Sequence, residues 1–115
     1  MSAESTTRLV VMGQGYVGLP MALRAAETGI LVTGFDTNTS LTAALQAGSS
    51  HIGDVSAAEL AAGLAGNYRA SSDAGCLATA DVVLVCVPTP LGPDGGPALD
   101  AVESAADLIG AHVRP

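Results

Sequence analysis

The feature that most constrains this chain is the run LVVMGQGYVGLPMALRAAETGILVTGFD, from Leu9 to Asp36. An apolar stretch rich in Val ends in three glycines spaced G-x-G-x-x-G: Gly13, Gly15 and Gly18. A helical pattern follows, with Pro20 in its first turns, where a missing N–H is tolerated. Gly29 closes it, as glycine does just past a helix. A second apolar run then stops on Asp36. Strand, tight turn, helix and strand in that order make one βαβ unit, and its crossover is right-handed.

The rest of the chain continues the alternation. NTSLTAALQAG reads as a short helix, capped by Asn38, Thr39 or Ser40 and stopped by Gly48. HIGDV is a connector, and SAAELAAGLAG opens on Ser56-x-x-Glu59, a capping-box pattern. YRAS reads as a third strand, DAGCLAT as a helical turn or two, and DVVLVCVP as the strongest strand. TPLGPDGGPA is a Pro/Gly-rich loop, and a last helix opens at Asp100 with Val102, Ala106, Ile109 and Val113 at helical spacing. In the first helix, Val17, Met21, Ala25 and Thr28 fall near one face.

Strands separated by helices imply an α/β fold, a Rossmann-like doubly wound parallel sheet with strand order 3-2-1-4 and helices on both faces. The sheet is expected to be incomplete at the C-terminal end, because the chain stops where a fifth strand would begin. Residues 1–7 are expected to form a flexible N-terminus and 8–115 one domain, the N-terminal part of a longer enzyme.

The glycines have separable roles in such a unit. Gly13 turns the chain sharply out of the strand, Gly15 lets a pyrophosphate approach the backbone, and Gly18 lets the helix pack on the strand. The amides of Tyr16 and Val17 are expected in the first helical turn, where unpaired N–H groups and the helix dipole favour phosphate. Asp36 follows Gly18 by 18 residues, placed to accept hydrogen bonds from the adenosine ribose. A 2′-phosphate would meet it as a like charge, and no arginine occurs between Thr37 and Arg69. NAD is therefore favoured over NADP. The loop after the fourth strand, with Pro88 and Pro90 flanking Thr89, lies at the edge where ligands bind in these sheets and would face the nicotinamide half of the cofactor.

Composition excludes several other classes. The net charge of −7, with four arginines and no lysine, leaves no basic patch for nucleic acid or an anionic membrane surface. Hydrophobic residues make up 49% and charged residues 13%, which describes a folded globular chain. No apolar run reaches the length of a bilayer span, and the polar start MSAESTTR has no signal-peptide core, so a cytoplasmic location is expected. Cys76 and Cys86 read as small buried hydrophobes, and with only His51 and His112 as further candidates no metal site is assigned. The two histidines read as surface residues, and Glu59 and Asp107 as solvated charges. No Gly-Lys-Ser/Thr follows the glycines, so this is not a P-loop.

GQGYVGLPMA, GFD, and VCVPTPL followed by ALDAVESA resemble the UDP-glucose/GDP-mannose dehydrogenase family, over nearly the whole chain from about Arg8. The GYVGLP and VPTP variants look most like the branch acting on UDP-N-acetylmannosamine or UDP-N-acetylglucosamine. The resemblance implies oxidation of the sugar C6 alcohol to a carboxylate with two NAD, through a cysteine nucleophile assisted by a lysine and an aspartate. Those residues lie beyond this chain in the family, and neither Cys76 nor Cys86 matches the nucleophile's motif, so no catalytic residue is expected here. The cofactor residues carried over by position are Gly13, Gly15, Gly18, Tyr16, Val17, Asp36, Val87, Pro88 and Thr89. The family often has a basic residue five positions after the acid, and Leu41 stands there. Asp54 stands where many members carry a glutamate-containing segment. The resemblance also implies a UDP-sugar as substrate of the complete enzyme and a homodimer formed through a central domain. Two alternatives share the early fold and fingerprint: a free-standing nucleotide-sensing module, and a β-hydroxyacid or 6-phosphogluconate-type dehydrogenase.

Overall fold

In the computed structural model, which describes residues 7–53, 55–87 and 100–112, the strands β1 (Arg8–Met12), β2 (Leu31–Phe35), β3 (Tyr68–Ser71) and β4 (Val82–Val85) form one parallel sheet in the order β3-β2-β1-β4. This is the order the sequence predicts. The pleat sends alternate residues of β1 to opposite faces, and each face has its own core. Val11 packs with Leu19, Ala22 and Leu23 of α1 (Gly18–Glu27), Leu45 of α2 (Thr39–Gln46) and Leu60 of α3 (Ala57–Ala65). Val10 and Met12 pack on the other face with Phe35, with Leu77 of a 3₁₀ helix (Ala74–Thr79) and with Ala105 of α4 (Asp100–His112).

The helix starts follow their caps. Asn38 accepts from the Leu41 amide at 3.1 Å and opens α2. At α3 the reciprocal pair is complete: Ser56 Oγ accepts from the Glu59 amide and Glu59 Oε1 from the Ser56 amide, each at 3.1 Å. Gly29 and Gly48 sit at positive φ just past α1 and α2, the left-handed closure that glycine reaches without steric cost.

Several expectations are corrected. Val17, Met21, Ala25 and Thr28 share a face at α1, as the spacing predicts, but that face is not the core face: Val17, Met21 and Thr28 are exposed and Ala25 is half-buried, while the helix buries Gly18, Leu19, Ala22, Leu23 and Ala26. In α4, Ala105 is buried and Ala106 exposed, with Leu108 and Ile109 packed against the core. The run DVVLVCVP yields only a four-residue strand, whose Val82 and Val85 are exposed. Ile52 and Val55 of the connector are core residues. Both cysteines are half-buried rather than buried, and so is His112. Asp54 and Val113 lie outside the described residues.

Candidate dinucleotide site

The site is built at the carboxyl end of β1. Gly13 leaves the strand at φ +97° with its N–H on Phe35 O at 2.7 Å, and a Cβ there would lie 2.6 Å from Cys86 O. Only glycine meets both conditions. Gly15 differs: a Cβ built on it meets no atom within 4 Å, and its backbone opens on a cleft of about 820 Å³. Gly18 does not line this cleft. A Cβ on it would overlap the Gly13 carbonyl, so its hydrogen is what lets α1 start against the turn. The first helical hydrogen bond runs from Leu19 N to Gly15 O at 3.2 Å. The amides before Leu19 therefore precede the intrahelical ladder. Tyr16 and Val17 lie in the turn that feeds α1 rather than in the helix, with Val17 at the cap and both side chains exposed.

One wall of the cleft is the end of β2. Asp36 is half-buried and held by two backbone donors: the Gln14 amide on Oδ2 and the Asn38 amide on Oδ1, both at 3.0 Å. Its own carbonyl accepts from Ser72 Oγ at 2.6 Å, and that hydroxyl meets Thr42 Oγ1 at 2.7 Å. The carboxylate is thus fixed across from the glycine turn while keeping lone pairs free for a ligand. It is the one charged side chain among the described residues that line the cleft. Leu41 lines the cleft beside it, where a basic side chain would have added charge.

The opposite wall comes from Cys86 and Val87, past β4, and from Ser104 and Leu108 of α4. The Cys86 amide donates to Met12 O at 2.7 Å and so carries the ladder up to the turn. Burial pushes the thiols of Cys86 and Cys76 above the ordinary range, which suits packing and not nucleophilic attack. Pro88, Thr89 and Pro90 lie outside the described residues. Of the residues singled out from the sequence, Gly13, Gly15, Tyr16, Val17, Asp36 and Val87 meet in this one cleft, and Gly18 stands behind it. No three metal-ligating side chains cluster among the described residues, and no described helix is long and apolar enough to cross a membrane.

One residue of the site escapes a reading of the motif. Gln14, the first variable position between the glycines, is fully buried. Its Nε2 donates to Val11 O at 3.0 Å and Gly13 O at 3.1 Å, and its Oε1 accepts from Tyr68 Oη at 2.7 Å. The available signal is Gly34, a glycine inside a strand, which marks a close approach by something else.

A parallel sheet with a glycine turn at a helix start, facing a carboxylate at the end of the next strand, defines a dinucleotide-binding domain of the Rossmann class. Comparison with known proteins is consistent with this. Residues 7–115 match the model of the UDP-glucose/GDP-mannose dehydrogenase family, NAD binding domain. The chain is 36% identical over 107 residues to UDP-N-acetyl-D-mannosamine dehydrogenase of Escherichia coli, covering 91% of this chain and 25% of that protein. It is 34% identical over 103 residues to UDP-glucose 6-dehydrogenase AglM of Haloferax volcanii, covering 89% and 24%. Among solved structures, UDP-D-ManNAc dehydrogenase of Pyrococcus horikoshii superposes with a TM-score of 0.85 at 30% identity, over 91% of this chain and 25% of that one. The chain belongs to the UDP-glucose/GDP-mannose dehydrogenase family and corresponds to its NAD-binding domain. It spans about a quarter of the length of the relatives it matches.

Proposed function

We propose that this chain is the cofactor module of a cytoplasmic nucleotide-sugar dehydrogenase, which oxidises C6 of a UDP-hexose to the uronate with two NAD. Residues 8–115 form the module. The observation that carries the reading is the open space above Gly15, facing the Asp36 carboxylate across one cleft. A pyrophosphate fits where a Cβ would otherwise stand, against amides at the start of α1 whose dipole favours its charge. Gly13 and Gly18 hold the turn in that shape, Tyr16 and Val17 supply amides, and Asp36 accepts from the adenosine ribose. Val87, with Pro88 and Thr89 after it, borders the nicotinamide half. When bound, NAD supplies the hydride acceptor. The chain's own residues bind and orient it, and the catalytic groups lie outside this chain. An N-acetylhexosamine as the sugar is supported by the GYVGLP and VPTP elements and by relatives named for UDP-N-acetyl-D-mannosamine and UDP-N-acetyl-D-glucosamine. A homodimer would form through parts of the complete enzyme beyond this chain.

Calorimetric titration tests the cofactor assignment. The chain should bind NAD at least tenfold more tightly than NADP and turn over no UDP-sugar by itself. Asp36→Ala should weaken NAD and abolish the preference. Equal affinity for the two cofactors, or an Asp36→Ala variant that still discriminates, would defeat the assignment. The substrate assignment is tested separately, by NADH formation from UDP-hexoses in the complete enzyme.

A further inference from the structure

Tyr68 and Gln14 meet although the strands they lie on or just past are not neighbours. Tyr68 opens β3, Gln14 follows β1, and β2 runs between them. The meeting depends on Gly34 of β2. A Cβ at that position would overlap the Gln14 side-chain amide and lie 2.6 Å from Tyr68 Oη. With hydrogen there, the phenol reaches under β2 and donates to Gln14 Oε1. The amide's other end is then fixed: Nε2 faces two carbonyls, Val11 O and Gly13 O. Both side chains are buried, at 0% exposure for Gln14 and 2% for Tyr68, so water cannot replace a lost partner.

The consequences converge on the site. Gly13 O, which accepts from Gln14 Nε2, is the carbonyl against which Gly18 packs to start α1. The backbone N–H of Gln14 itself holds Asp36 Oδ2. One residue therefore links the tyrosine, the first glycine of the turn and the ribose carboxylate. Burial, with the Asp36 charge adding to it, pushes the phenol well above its ordinary range, so it stays a protonated donor at all physiological pH.

We propose that Tyr68 is a positioning residue of the cofactor site: through Gln14 it holds the glycine turn and the Asp36 carboxylate in binding geometry, and sets NAD affinity without touching NAD. This rests on the NAD-binding assignment above. Tyr68→Phe keeps the ring in the core and removes only the donor. Gln14 Oε1 is left buried and unpaired, and its amide is released to turn away from Gly13 O. Lost preorganisation should weaken NAD by about five- to thirtyfold.

The test measures NAD affinity by calorimetry and the thermal midpoint of the full chain, with Leu60→Val as control. Leu60 is fully buried in α3 and does not line the cleft. That control should lower the midpoint and leave NAD affinity within twofold. Tyr68→Phe should weaken NAD at least fivefold and speed amide hydrogen exchange at residues 13–18 beyond its effect on the strands. The paired variant Gln14→Leu with Tyr68→Phe removes the unpaired acceptor. It also strips Val11 O and Gly13 O of the Gln14 donor, so it should bind NAD at least fivefold more weakly than the parent whatever its midpoint, and it serves in place of the single variant if that one does not fold. Tyr68→Phe or the pair binding NAD within twofold of the parent, or Leu60→Val weakening it equally, overturns the proposal. A parent chain that binds no NAD overturns the cofactor assignment itself, and this proposal with it.

Discussion

Gly15 and Gly18 are three residues apart in one motif, yet the structure assigns them opposite sensitivities. Alanine at Gly18 puts a Cβ into the Gly13 carbonyl and 2.8 Å from its carbon. Both are backbone atoms, so no rotamer change relieves the overlap and α1 must back away from the turn. Overpacking of this kind costs about 1–3 kcal/mol or more. Scaling the usual unfolding entropy per residue to this length gives roughly 4 °C of midpoint per kcal/mol, hence a fall of about 4–12 °C. Alanine at Gly15 meets no protein atom within 4 Å, and Gly15 is not at positive φ. Its effect on stability comes from the unfolded chain, a gain of about 0.4–1 kcal/mol, or roughly 2–4 °C upward. The added methyl then occupies the cleft. If a pyrophosphate lies there, crowding of about 1–3 kcal/mol weakens NAD roughly 5- to 150-fold.

The assay is a thermal melt by circular dichroism with a calorimetric NAD titration of each variant. Gly15→Ala should be at least as stable as the parent and bind poorly; Gly18→Ala should be plainly less stable. Gly15→Ala binding NAD within twofold of the parent would refute the placement of the pyrophosphate. A Gly15→Ala midpoint as low as that of Gly18→Ala would refute the division between space kept for a ligand and space kept for packing.

Two further outcomes follow from the same geometry. Ser56→Ala removes one half of the capping box at α3; it should cost about 1 kcal/mol in urea unfolding and leave NAD affinity unchanged, and an unchanged urea midpoint would remove the cap from the list of stabilising contacts. Stability should also fall at alkaline pH. Folding raises the pKa of Tyr68 and of both thiols, so the unfolded chain loses those protons first. Their contribution is whole below the ordinary thiol range near ~8.5 and is lost as pH rises through it and then past the ordinary phenol value near ~10. Tyr68→Phe should flatten the upper limb of urea midpoints measured from pH 7 to 11, and a parent curve flat to pH 11 would show the phenol to be no more protected in the fold than out of it.

What was legible in the sequence was what the backbone restricts to one residue type. Gly13 needs positive φ and no Cβ, Gly18 needs no Cβ, and the strand–turn–helix–strand order puts Asp36 across from them. Each requirement is local, so spacing alone encodes it. The caps at Asn38 and Ser56 were legible for the same reason. The orientation of α1 was not. Its sequence carries two stripes at helical spacing, one with Val17, Met21 and Ala25, the other with Leu19, Ala22, Leu23 and Ala26. Both stripes are apolar at helical spacing, and periodicity alone does not say which one meets the sheet. The role of Gln14 was hidden more deeply. A polar residue at a variable motif position looks solvated, and its burial depends on a tyrosine 54 residues away. Yet Gly34 announces it: a strand interior gains nothing from glycine, and here the missing side chain is space that two others use. A glycine without a turn to explain it is therefore evidence of an approach from elsewhere in the chain, and the residue that approaches is the one to mutate next.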